Sequence, residues 1–131
     1  MKHIILSALI ISTALSCAAA QDTPDTHQSL AKEVIALLSD TELALNSCRD
    51  AESVKEALPT FRELAKQAEA IKQKQLALPD STLQEDITIA RNVQDFQMLW
   101  EAIRAHIDRL MNENLLSPEL RDVLRIAPTT N

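Results

Sequence analysis

Not one of the 131 residues is glycine. Glycine is the residue that takes positive φ, or lets a backbone approach a ligand closely, without steric cost. A chain without it has no Walker phosphate loop, no Gly-rich dinucleotide turn and no nucleophile elbow, because each requires glycine at fixed positions. Tight two-residue hairpins draw on it as well. With two Phe, one Trp and no Tyr, the chain also lacks the aromatic residues that fill the pleat of a sheet. What remains is a set of helices joined by short polar connections, an all-α fold.

The first 20 residues read as an export signal. Lys2 gives a positive start, residues 4–15 form an apolar run interrupted only by Ser and Thr, and Ala18-Ala19-Ala20 offers small residues at both positions that a signal peptidase reads. Cleavage is expected before Gln21, giving a periplasmic or secreted protein. The run is shorter than the ~20 residues of a membrane-spanning helix. Ala14-Leu15-Ser16-Cys17 also resembles a bacterial lipobox. Cleavage before Cys17 leaves instead a lipidated N-terminus, a membrane lipoprotein, with Ala18-Ala19-Ala20 as spacer. Ala14 and Leu15 depart from the usual Leu-Ala/Ser-Gly/Ala-Cys pattern.

Residues 21–131 have the length of one domain, enough to bury roughly two-thirds of the unfolded surface. Residues 21–28 are polar and contain Pro24, so they read as a short tether ahead of a single helical domain at 29–131. Loss of Lys2 with the signal leaves 12 basic against 19 acidic residues, a net charge of −7. An acidic chain with interspersed signs excludes a nucleic-acid partner, and leaves a membrane only through lipid on Cys17. Cys48 is the one cysteine left after cleavage before Gln21, so no intramolecular disulfide forms. Its two readings are a small buried hydrophobe and an intermolecular disulfide.

Apolar periodicity places the helices. From Ser29, the residues Leu30, Val34, Leu37, Thr41, Ala44 and Cys48 recur at steps of four and three, widened by Ile35, Leu38 and Leu45. Asp50 is a good N-cap for a second helix carrying Val54, Leu58, Phe61, Ala65 and Ala68, with Leu64 and Ile71 beside them. Pro59 lies inside it and predicts a kink or break near Ala57 and Leu58. Leu78-Pro79-Asp80-Ser81 stops that helix, and Thr82 with Glu85 has capping-box spacing.

The third helix is predicted as one element to about Asn114, through Ile89, Val93, Phe96, Trp100, Ile103, Ile107 and Leu110. At 1.5 Å per residue it spans roughly 50 Å, against about 30–35 Å for the first. Ser117-Pro118-Glu119 opens a short helix at 118–126, ended by Pro128. The architecture predicted is an antiparallel three-helix bundle with a short fourth C-terminal helix. The far part of the third helix then needs cover from the short helix, a partner chain or a ligand. Trp100, Ile107, Leu110, Met111, Leu115 and Leu116 are the expected interface residues. On the same stripe Trp100 also reads as a core anchor.

Chemistry-bearing constellations are scarce. The mature chain has His27 and His106, with no His-Glu-x-x-His zinc site and no Glu-x-x-His pair of a carboxylate di-iron bundle. Glu101 lies five residues before His106, the wrong spacing to share a helix face. His106 borders the apolar stripe, as a partly exposed packing residue, or else as a ligand or a pH-responsive group. Met98 and Met111 read as gap-filling thioethers. Neither a catalytic set nor a cofactor site emerges, so the chain is not expected to be an enzyme and no cofactor is expected.

Asp50-Ala51-Glu52-Ser53-Val54-Lys55-Glu56-Ala57-Leu58, continuing through Phe61-Arg62 to Ala65 and Ala68, resembles the second helix of the small periplasmic b-type cytochromes. The resemblance covers residues 30–71. It implies a signal-bearing four-helix bundle that holds haem between a Met on the first helix and a His on the last. The Met position falls at Ile35, and residues 127–131 contain no His. The chain is also similar to the small helical proteins that Gram-negative bacteria export. The expectation is therefore an exported, non-enzymatic bundle acting by protein–protein contact, with a protein partner or a homo-oligomer. The alternative is a small-ligand or haem-binding bundle.

Overall fold

A computed structural model describes residues 24–126. The expected signal at 1–20, the cleavage position before Gln21 and Cys17 lie outside them. The described residues form five helices and no strand: α1 (His27–Ser47), α2 (Ala51–Ala77), α3 (Leu83–Ala90), α4 (Val93–Asn112) and α5 (Pro118–Leu124). The fold is all-α.

Each helix start except that of α4 is closed by a side chain. Thr26 with Ser29, Asp50 with Ser53, and Thr82 with Glu85 are reciprocal capping boxes, and Ser117 accepts from the Leu120 N–H ahead of Pro118. The first of these sets α1 two residues earlier than the apolar period alone suggests. The Ser53 N–H and hydroxyl both donate to Asp50 Oδ1 at 2.8 Å and hold its carboxyl below the usual range. The Thr82 N–H and hydroxyl do the same for Glu85.

The C-terminal ends show how a chain without glycine finishes its helices. Asn114 and Arg125 take positive φ, at 55° and 54°. In both places the next residue closes a six-residue Schellman turn, Leu115 N–H to Leu110 O at 2.8 Å and Ile126 N–H to Arg121 O at 2.9 Å. Leu115 and Ile126 then pack on the core. In α1 and α2 the ends avoid that region altogether, with Cys48 and Leu78 extended.

Two expectations are corrected. The helix predicted to run unbroken over 83–114 is two, α3 and α4, parted at Arg91 and Asn92. Asn92 sits at φ −96°, ψ 1°, and its N–H donates to Ile89 O at 2.9 Å, a tighter turn. The β-branched run Ile87-Thr88-Ile89 is a poor helix former, and the Thr88 hydroxyl bonds back to Gln84 O at 2.9 Å, a contact that bends helices. At 20 residues α4 is matched to α1 at 21, so the expected overhang of the third helix is absent. Pro59 does not break α2, which stays continuous through it. The ring lies on the exposed side, where water reaches the carbonyl it leaves unbonded.

α1 is central, with α2 against one flank, α3 and α4 against the other, and α5 on α2. Lys74 near the end of α2 pairs with Glu33 at 3.0 Å and Asp25 at 3.6 Å at the start of α1, so these helices run oppositely. α4 runs alongside α1 in the same direction, with Phe96 near Val34 and Arg109 at the end of α1. The fully buried side chains Leu45, Cys48, Phe61, Leu110 and Leu120 gather where α1 ends, α2 begins and α5 lies. At the opposite end, among the described residues, only Leu30 and Ile71 are buried.

Leu120→Ala therefore lowers unfolding free energy by about 2–5 kcal/mol, while Leu43→Ala, at 59% exposure, stays within about 0.5 kcal/mol. Urea denaturation measures both. The lowered carboxyls of Asp50 and Glu85 stabilise at neutral pH, and this contribution is lost as pH falls through their folded values. Asp50→Asn flattens the acid limb of the urea midpoint against pH.

Candidate interaction surface

The apolar stripe along α4 changes character halfway. Val93, Phe96 and Trp100 are 45%, 41% and 48% exposed, whereas Ile103 and Leu110 are 5% and 0%. The covered half shares one core cluster with Leu116 and Leu120, on and before α5. The described residues cover the other half only in part. Phe96 and Trp100 stack with ring centroids 6.5 Å apart and planes within 5°.

Beside this pair lies a groove between α1 and the junction of α3 and α4. It is lined by Ala31, Val34, Ile35, Ile89, Asn92, Val93 and Phe96, with a volume of about 210 Å³. Asn92 is the one lining residue with a polar side chain. Sites for drug-sized ligands run roughly 300–1,000 Å³ with several convergent polar groups, so this groove is smaller and less polar than such a site. Asp95 is the one charged residue between Arg91 and Glu101. Met98 is 62% exposed on the far side of α4, since two residues turn the helix by about 200°.

Of the six expected interface residues, Trp100 alone presents about half its surface. As a core anchor Trp100 is corrected, since about half of it is exposed. Leu110 and Leu116 belong to the core, and Ile107, Met111 and Leu115 are partly buried against it. The exposed stripe residues that sequence reasoning did not single out are Val93 and Phe96. They sit on the stripe it identified, but periodicity shows which face is apolar, not which half is covered.

His106 Nε2 lies 2.9 Å from Glu42 Oε1, both about three-quarters or more buried, joining α4 to α1 below the groove. Ile35, where the cytochrome resemblance would put a Met ligand, lines the groove with no ligating atom. Among the described residues, no group of three or more His, Cys, Asp or Glu is placed to hold a metal ion, and no helix is long and apolar enough to cross a membrane. Cys48 is fully buried, its thiol donating to Ala44 O at 3.3 Å. That placement counts against the intermolecular disulfide, because the sulfur meets no second chain while the core is closed. Comparison with protein-family models, curated proteins and solved structures finds no match.

Burial pushes the Cys48 thiol up from its ordinary value, so it is unreactive when folded. An aromatic disulfide reagent labels it slowly in buffer and rapidly in denaturant, and oxidised protein runs as a monomer on a non-reducing gel. The sign of the shift also sets an alkaline limit. The Cys48 contribution is full below the ordinary thiol pKa and is lost as pH climbs through the raised folded value.

Proposed function

We propose that this chain is an exported, non-enzymatic helical bundle that acts by protein–protein contact through its half-covered end. In this reading α1, α2 and α4 form an up–down–up three-helix bundle, and α5 is a short fourth helix that closes one end only. The observation that carries it is the exposed stripe Val93, Phe96 and Trp100 beside an apolar groove. Contiguous apolar surface rimmed by polar residues marks interaction sites, and Trp and Phe are enriched at their centres.

The export component rests on residues 1–20, with cleavage before Gln21 giving a soluble periplasmic or secreted form and lipidation at Cys17 the membrane-anchored alternative. A haem or small-ligand role finds less support in a groove of about 210 Å³ with Asn92 as its polar lining residue.

The test places a photo-reactive phenylalanine derivative at Trp100, and separately at Leu43, in the exporting host. Adducts form at position 100 and not at position 43. Absence of adducts at position 100 sinks the contact reading. The intact mass of the purified chain begins at Gln21. A mass beginning at Cys17 with added diacylglyceryl and acyl groups moves the protein to a membrane instead.

A further inference from the structure

We infer that residues 79–102, which hold α3 and the first turns of α4, form a strap that opens and recloses as one unit while the rest of the bundle stays folded. Such a motion goes beyond the contact reading above and does not depend on it. Ile71 on α2 is buried at 9% exposure and Ile103 on α4 at 5%, and no residue between them is buried. Within that stretch Leu83 is 77% exposed and Ile87 46%. A segment that buries so little has little apolar area to lose on opening, and such segments open before the core of a folded protein does.

Few contacts hold the strap down. At its start, His27 Nε2 meets Pro79 O at 2.7 Å in an exposed position, where water replaces the bond at little cost. Just ahead of it, Lys74 pairs with Glu33 and Asp25 and fixes the end of α2 to α1. Just beyond it, the buried Ile103 and the His106–Glu42 contact at 2.9 Å fix α4. Between these anchors, Ile89, Asn92, Val93 and Phe96 face Ala31, Val34 and Ile35 of α1 across the groove of about 210 Å³. A groove forfeits the close contacts that a packed pair of helices makes along the same length.

Local helix physics makes the opening one event. An eight-residue helix is marginal in water, so α3 melts once it leaves α1, in spite of its Thr82 and Glu85 capping box. α4 starts at Asn92 without a side-chain cap, so its first turns unwind with α3 as far as Ile103 once Val93 and Phe96 have left the groove. Opening bares Ala31, Val34 and Ile35. The groove is then a property of the closed form alone. The bundle alternates between a narrow groove beside the Phe96 and Trp100 rings and a bare apolar face on α1.

The experiment is native-state hydrogen exchange of the chain as purified from its host, followed residue by residue at low urea. The helical amides of 86–90 and 96–100 are expected to share one opening equilibrium, at least about a hundredfold less protected than Phe61 and Leu110. Thr82→Ala removes the cap and speeds exchange over 86–90 roughly fivefold. Residues 96–100 accelerate by the same factor, although Thr82 caps α3 and not α4. Ile89→Ala, which trims the groove wall instead of the cap, also accelerates both sets together. Leu120→Ala accelerates Phe61 and Leu110 and leaves both strap sets unchanged. Strap amides as well protected as Phe61 overturn the inference. So does a Thr82→Ala effect confined to 86–90, which is fraying of α3 alone. Adducts at position 100 bear on the contact reading and not on exchange, so each reading can fail without the other.

Discussion

The closed end of the molecule depends on the guanidinium of Arg109. α1 ends without a glycine, its C-cap Cys48 extended at φ −75°, ψ 99°. A helix that ends this way leaves carbonyls without intrahelical donors. Arg109 reaches across from α4 and donates from Nη2 to Leu45 O at 3.2 Å and Cys48 O at 2.8 Å, while Nη1 pairs with Glu113 at 3.1 Å. A cation at the negative end of a helix dipole, held by charge-assisted bonds and one-quarter exposed, suits both the electrostatics and the geometry. The contact fixes the register of α4 against α1, and with it the position of Leu110 beside Leu45, both fully buried.

From that clamp the asymmetry of the fold follows. α4 ends three residues later at Asn112, Asn114 takes the left-handed conformation, and Leu115 and Leu116 turn inward. α5 then lies along α2, where Arg125 pairs loosely with Glu69 at 3.8 Å. Seven residues of helix reach along α2 as far as Glu69 and Lys72. Placing a non-glycine residue in the left-handed region costs on the order of 1–2 kcal/mol, and the inward packing of Leu115 and Ile126 accompanies that cost at each turn. Further up, His106 and Glu42 make the last polar tie between α1 and α4 before the apolar groove begins.

Much of this was legible in the sequence, and what escaped it has a common cause. Local chemistry was readable: Asp50, Thr82 with Glu85, and Ser117 with Pro118 are caps because they sit within three residues of the donors they serve. The α4 stripe was readable as well, from its 3.6-residue period. The parting of α3 from α4 was not, since no Gly or Pro marks it and the β-branched run Ile87-Thr88-Ile89 only weakens a helix. Pro59 suggested a kink or break, yet the helix runs on through it, with the ring on the exposed side. The roles of Arg109, and of Glu42 opposite His106, rest on partners about 60 residues away in sequence, where no periodicity reaches. Coverage of the stripe is likewise a tertiary fact, and it decided which residues form the candidate surface.

Stability and the proposed contact are consequently assigned to opposite ends. The core cluster sits beside α5, and α3 buries no side chain fully. An eight-residue helix is marginal on its own in water, so α3 is held by the Thr82 and Glu85 capping box and by its packing on α1. The neighbouring connection is pinned by His27 Nε2, 2.7 Å from Pro79 O. Ile89, on the last turn of α3, is also a wall of the groove. Whatever fills the groove therefore packs on the least anchored helix and adds to what orders it. A surface built this way gains apolar contact at the end with the fewest buried side chains, while the Arg109 clamp keeps the closed end independent of whether the groove is filled.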